Sequence, residues 1–177
     1  MQLQLCLEKM VNHYFHINMN KAIFLDRDGV INKEKKDYVK KLEEFEIFDN
    51  IFSAIKILKE KGFLIIIITN QSAINRKLMK VDELEKIHEY LINEVKRQGT
   101  SIDSIFYCPH RPDENCTCRK PKPGLILQAS KYHKVDLKNS FFIGDSNTDM
   151  KAAEAAGCKG ILLKKDQKLI DTVNQIF

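Results

Sequence analysis

Apolar positions fall into two alternating patterns along the chain. The segments "KAIFL" (21–25), "FLIIIIT" (63–69), "SIFYC" (104–108), "SFFIG" (140–144) and "GILL" (160–163) are short, continuous and rich in β-branched or aromatic residues. Such runs predict strands buried on both faces, the habit of a parallel sheet. Between them lie amphipathic stretches. The span 82–97 sets Leu84, Ile87, Leu91 and Val95 on one helical face, with Asp82 as N-cap, Glu85 three residues on and Gly99 past its end. The span 50–61 does the same with Ile51, Ala54, Ile55 and Leu58, Asp49 capping and Gly62 stopping it. Two more helices are predicted over 125–134 and 148–156, with Gly157 closing the second. This alternation predicts an α/β fold, a Rossmann-like, mostly parallel sheet with helices on both faces.

No internal repeat, low-complexity tract or linker breaks the pattern, so residues 21–177 are expected to form one domain. The insertion "KEKKDYVKKLEEFEIF" (33–48) is too short for a folded cap, and no large cap domain is expected. Residues 1–20 precede the first strand and are expected to be a flexible extension. Their Leu3, Leu5, Leu7 alternation would suit an added edge strand, and His13 and His16 read as incidental surface histidines.

Composition narrows the class. Over 177 residues, 44% are hydrophobic and 30% charged, ordinary globular usage that argues against global disorder. A net charge of +5 suits anionic partners without choosing between small phosphates and nucleic acid. No apolar run nears the ~20 residues that span a bilayer, and the first residues lack a basic region ahead of an apolar one. A cytoplasmic protein with no membrane partner is therefore expected. Five cysteines, three of them crowded into "CPHRPDENCTC", argue for a metal site rather than a disulfide framework.

The polar motifs occupy matching places. "DRDG" follows the first strand, "TNQS" ends the second, "CPH…CTCRKPKPG" follows the third and "GDSNTD" the fourth. In an open parallel sheet these strand ends form one rim, where ligands bind. Asp26, Asp28, Thr69, Lys120, Asp145 and Asp149 are thereby predicted to share one edge. An Asp-x-Asp pair alone is common in solvated turns, but four such motifs in strand order are not. Converging carboxylates make a hard oxygen site suited to Mg²⁺. An aspartate beside it can attack phosphorus, and a carboxyl two residues on can serve as acid and then base. Thr69 and Lys120 can offset charge on the phosphoryl oxygens.

"DRDGV", "TNQS", "RKPKPG" and "GDSNTD" together resemble the four motifs of the haloacid dehalogenase superfamily of Mg²⁺-dependent phosphatases. Within it the chain is similar to the heptose-bisphosphate and histidinol-phosphate phosphatase group, from Lys21 to about Leu163. The resemblance implies Asp26 as nucleophile and Asp28 as general acid/base. It also implies Mg²⁺ held by Asp26, the Asp28 backbone carbonyl and Asp145, with Asp149 in outer support. Thr69 and Lys120 would bind the transferring phosphoryl group. Glu34, Tyr38, Asn70, Gln71, Ser72, Arg119 and Ser146 would line the substrate. Lys33, Lys35, Lys36, Lys40 and Lys41 could meet a second phosphate, although a solvated charged face accounts for most of them.

Cys108, His110, Cys116 and Cys118 spell C-x-H-x₅-C-x-C, a full tetrahedral set for Zn²⁺. Four protein ligands leave no open position, so this zinc is expected to be structural. It would pin the loop that ends in Arg119 and Lys120. The resulting expectation is a monomeric phosphatase acting on a phosphorylated sugar, a heptose 1,7-bisphosphate, with Mg²⁺ and structural Zn²⁺. Phosphatases for histidinol phosphate or a nucleic-acid 3′-phosphate are the alternatives. A non-catalytic zinc-stabilised nucleic-acid-binding module has no use for four rim aspartates, which repel a phosphate backbone.

Overall fold

A computed structural model of the chain describes residues 19–176. Five strands, β1 (Lys21–Leu25), β2 (Phe63–Asn70), β3 (Ser104–Cys108), β4 (Phe141–Gly144) and β5 (Lys159–Leu162), build one sheet in the order β3-β2-β1-β4-β5. Every pairing is parallel. Among the described residues five helices cover it: α1 (Ile51–Glu60), α2 (Val81–Arg97), α3 (Gly124–His133), α4 (Asn147–Ala156) and α5 (Leu169–Ile176).

Alternation along the central strands decides the layers. Ile23, Leu25, Ile65 and Ile67 join the core beneath α1, α2 and α5, whereas Ala22, Phe24, Ile66 and Ile68 pack with α3 and α4 on the other face. The predicted α/β architecture is the observed one. β3 and β5 differ from the expectation of strands buried on both faces: they are the sheet's edges, and β5 is largely exposed.

Two caps also differ. α2 starts at Val81 with Lys80 as N-cap, so Asp82 lies inside the first turn, where its charge still favours the helix N-terminus. α1 has Asn50 rather than Asp49 at its N-cap, and the Asn50 Oδ1 instead accepts from the Leu169 N–H, tying α1 to the start of α5. α5 is not among the predicted helices, although Leu169, Thr172 and Val173 lie on one buried face; with only eight residues it is carried by packing of Leu169 and Val173 into the core beside α1. Asn20 bridges Val135, and its own N–H donates to the Lys134 carbonyl at 2.9 Å. The Leu3–Leu7 alternation and His13 and His16 lie outside the described residues. Between β1 and α1 the chain carries only a 3₁₀ turn, Leu42–Glu44, and no cap domain. No helix among the described residues is long and apolar enough to cross a membrane.

Candidate active site on the strand rim

β1 is the sheet's switch point, with β2 on one side and β4 on the other, and ligands enter the crevice at such a point. Leu25 pairs with Ile143, and the Asp26 N–H donates to the Ile143 carbonyl at 3.1 Å. That register brings the residue after β1 beside the residue after β4. Gly29 makes the approach possible. Its φ is +83°, and a Cβ there would lie 1.9 Å from Asp145 Oδ2.

One carboxylate oxygen each from Asp26, Asp145 and Asp149 lie within 4.8 Å of one another. Asp149 is fully buried, fixed by a capping box in which the Ser146 N–H donates to its Oδ2 at 3.1 Å and its own N–H donates to Ser146 Oγ at 3.4 Å, while Ser146 Oγ also donates to Oδ2 at 2.6 Å. Ser146 therefore caps α4 as well as lining the cleft. Lys120 is buried beside the cluster, its Nζ 2.8 Å from Asp26 Oδ1, 2.6 Å from Asp149 Oδ1 and 3.0 Å from the Ile68 carbonyl. Burial alone would discharge Lys120, but Asp26 and Asp149 overcome it and hold its pKa above the usual value.

Burial pushes the Asp26 carboxyl up to about 7; Lys120 opposes the rise and Asp149 adds to it. Burial also raises Asp145, with help from the charges of Asp149 and Glu34. A cluster that resists its own ionisation is one a divalent cation would relieve. Hard oxygens from a strand end, a loop and a helix first turn fit Mg²⁺.

Asp28 behaves oppositely. Burial would raise its pKa, but the Arg27 charge and bonds from Arg27, Asn32 and Gln71 outweigh it and hold it below the usual range. Arg27 Nη2 donates to both Asp28 oxygens, at 2.8 and 2.9 Å. Asn32 Nδ2 reaches Oδ1 at 2.9 Å, and Gln71 Nε2 reaches Oδ2 at 2.8 Å while also donating to Thr69 Oγ1 at 2.8 Å. The resting form is a carboxylate.

A cleft of about 430 Å³ opens over these groups, lined by Asp26, Asp28, Thr69, Lys120 and Asp145 together with Glu34, Tyr38, Asn70, Gln71, Ser72, Arg119 and Ser146. Thr69, Lys120 and the seven residues expected to line the substrate thus border one cavity. Asn70 also braces the neighbouring loop, since its amide accepts from the Lys120 N–H at 3.1 Å and donates to the Lys120 carbonyl at 3.2 Å. Lys35, Val39, Arg76, Pro112 and Thr148 line the cleft as well. Arg76 carried no sequence signal, since it lies past "TNQS" in a turn with no periodicity. Of the five lysines flagged in the insertion, only Lys35 reaches the cleft. Lys33 and Lys35 both pair with Glu46, and Lys40 with Asp37. Arg27, the second residue of "DRDG", has no role that its position in the motif alone would suggest; it is wholly buried.

The second cluster lies on the loop after β3. Cys108, His110, Cys116 and Cys118 place Sγ and imidazole atoms within 4.8 Å of one another. Sulfur separations of 3.6 and 3.2 Å, with His110 Nδ1 3.4 and 3.3 Å from two sulfurs, form a compact tetrahedron. Zn–S bonds of about 2.3 Å would space thiolates about 3.8 Å apart, so the pocket fits Zn²⁺ with slight expansion. The loop is seated on α3, where a Cβ at Gly124 would meet the Thr117 carbonyl oxygen at 2.3 Å. It leads directly to the site: the Arg119 N–H donates to Cys116 Sγ at 3.4 Å, and its guanidinium donates to the His110 carbonyl at 3.1 Å.

The family model described as polynucleotide kinase 3 phosphatase matches residues 21–172. The chain is 47% identical over 148 residues to D-glycero-beta-D-manno-heptose-1,7-bisphosphate 7-phosphatase of Helicobacter pylori strain ATCC 700392, covering 83% of this chain and 85% of that protein. It is 44% identical over 148 residues to the D-glycero-alpha-D-manno-heptose-1,7-bisphosphate 7-phosphatase of Campylobacter jejuni, covering 84% of each. The crystal structure of D,D-heptose 1,7-bisphosphate phosphatase from B. bronchiseptica, complexed with magnesium and phosphate, superposes with a TM-score of 0.78 at 34% identity, over 88% of this chain and 86% of that one. The doubly covered parallel sheet with its rim of aspartates is that of a haloacid dehalogenase-type hydrolase. Within that superfamily the chain belongs to the polynucleotide kinase 3 phosphatase family.

Proposed function

We propose that this protein removes one phosphate from a sugar bisphosphate by way of an aspartyl-phosphate, and that its substrate is D-glycero-D-manno-heptose 1,7-bisphosphate, released as the heptose 1-phosphate. The observation that carries the reading is the division of charge in the cleft. Asp26, Asp145 and Lys120 line it on the strand rim, and Arg76 and Arg119 line it as well, with no carboxylate partner for either guanidinium among the described residues. A substrate with phosphates at both ends finds a reaction centre for one and counter-charge for the other. Relatives at 47% and 44% identity act, by name, on the 7-phosphate of the beta and alpha heptose bisphosphates.

In this reading Asp26 attacks phosphorus while Lys120 and the Arg27 N–H, 2.7 Å away, hold its Oδ1. Asp26, Asp145 and the Asp28 carbonyl would hold Mg²⁺, with Asp149 in outer support through Lys120 and Ser146, and the ion would supply positive charge to the phosphoryl oxygens. The Thr69 hydroxyl and Lys120 ammonium address those same oxygens. An entering phosphate dianion raises the proton affinity of Asp28, which takes up a proton from solvent and then donates it to the departing sugar oxygen. Once the sugar leaves, Asp28 returns to its resting carboxylate and takes a proton from the attacking water. Cys108, His110, Cys116 and Cys118 hold a structural Zn²⁺ that fixes Arg119 and Lys120. The protein acts as a cytoplasmic monomer in heptose supply for lipopolysaccharide.

The test is Mg²⁺-dependent phosphate release from both heptose bisphosphate anomers, histidinol phosphate and a 3′-phosphorylated oligonucleotide. The heptose bisphosphates should exceed the others in kcat/KM by at least about a hundredfold. A faster oligonucleotide would replace the sugar reading with a nucleic-acid one.

A further inference from the structure

We propose that Arg27 is the residue that positions the acid–base carboxylate of Asp28, and that His88 on α2 acts through Arg27 to hold it there. The proposal rests on the phosphatase reading for the role of Asp28. Its own support is the side-chain packing behind that residue.

Arg27 is the largest fully buried side chain among the described residues. A guanidinium is among the least welcome groups in a core unless each of its faces is answered. Nη2 is answered by Asp28, with both carboxylate oxygens within 2.9 Å. Nη1 faces His88 Nε2 at 3.4 Å, and the Phe45 ring lies under Cζ at 5.5 Å. Nε has no hydrogen-bond partner among the described residues. An arrangement kept for stability alone would not leave a buried donor unpaired, and an apolar side chain would fill the space at less cost.

His88 is equally out of place by pattern. It stands on the buried face of α2 among Leu84, Ile87, Leu91 and Val95, where the period calls for an apolar residue. Tyr107 of β3 packs against its ring, with centroids 5.9 Å apart. Burial, and then the Arg27 charge, push its pKa down to about 3, so the ring is neutral. Its Nε2 can therefore accept from Arg27, which fixes the proton on Nδ1.

The geometry shows what this chain of contacts does. Asn32 and Gln71 each touch one oxygen of Asp28, so either contact alone permits the carboxyl plane to turn. Only Arg27 spans both oxygens. It sets the plane, and His88 and Phe45 set Arg27. Proton transfer to a leaving oxygen depends on that plane more than substrate binding does. Loss of the clamp should therefore fall on reactions that need the proton most.

The experiment compares kcat/KM for an alkyl phosphate, a poor leaving group, with that for an aryl phosphate, in wild type and four variants whose folding is checked by thermal melting. Arg27→Met should lose on the order of 10²-fold with the alkyl ester but only about tenfold with the aryl ester. Arg27→Lys should fall between Arg27→Met and wild type, because an ammonium can reach Asp28 but has no second nitrogen to bond His88 at the same time. His88→Leu should lose about three- to tenfold with the same bias toward the alkyl ester. His88→Gln, whose carbonyl can accept from Nη1, should recover most of that loss. Equal losses on both esters, or His88→Gln as impaired as His88→Leu, would overturn the proposal, since a folding defect lowers both substrates together. If Arg27→Met fails to fold, the two His88 variants decide. Wild type with no Mg²⁺-dependent turnover of either ester would instead sink the phosphatase reading.

Discussion

Two metal-capable clusters lie side by side in this molecule, and they are built in opposite ways. The thiol–imidazole set comes from eleven consecutive residues, Cys108 to Cys118, on one loop. The carboxylate set draws Asp26 from the end of β1, and Asp145 and Asp149 from the end of β4 and the first turn of α4, more than a hundred residues on. The local cluster closes on itself through a few bonds such as Arg119 to the His110 carbonyl and Lys122 to the Cys116 carbonyl, and a cation on its four ligands would tighten that closure. A rim cluster is held by the sheet beneath it, through Ile23, Leu25 and Ile143, which are fully buried. The first should depend on its metal for shape, and the second should keep its shape and depend on its metal for charge.

The sharpest way to break that contrast is at the nucleophile. Asp26→Asn removes the attacking oxygen, so kcat should fall at least about a thousandfold while the melting temperature stays near wild type. Turnover near wild type in the purified variant would end the covalent mechanism.

Next in size is the loop. Cys116→Ser should weaken zinc retention and lower kcat/KM on the order of 10²-fold, because Arg119 and Lys120 follow the last ligand directly. The main thermal transition should survive, lowered by several degrees at about the scale of a local loss. Full activity in zinc-free protein with Mg²⁺ would disconnect the loop from the site.

The smallest effect tests charge at the rim. Asp26 holds a proton up to about pH 7 in the metal-free fold, above its ordinary 3.8, and must lose it to bind a cation. A raised carboxyl pKa favours the folded state's protonated form, so Mg²⁺ affinity should climb as pH rises toward 7 and level above it. Below 7 it should weaken about tenfold per pH unit, with proton release on titration measured calorimetrically in buffers of different ionisation enthalpy. A flat profile from about pH 5.5 to 7.5 would mean that Lys120 already keeps Asp26 ionised.

The sequence by itself determined the strands, four of the five helices among the described residues and the class of chemistry. Continuous runs such as "FLIIIIT" can be satisfied only by burial on both faces, and "CPHRPDENCTC" carries its ligand set within one loop's reach. It also placed "DRDG", "TNQS", "RKPKPG" and "GDSNTD" after successive strands, which is enough to predict one rim. What it could not contain is the order β3-β2-β1-β4-β5, and with it the adjacency of β1 and β4 that brings Asp26 to Asp145. Pairing partners depend on which apolar faces meet, a property of packing rather than of any one segment. The same limit hid Arg76 on the cleft wall and α5 against α1. Arg27 shows it most clearly. A charged residue between two aspartates reads as solvated, and only the tertiary structure, by closing Phe45 and His88 around it, turned it inward to hold Asp28.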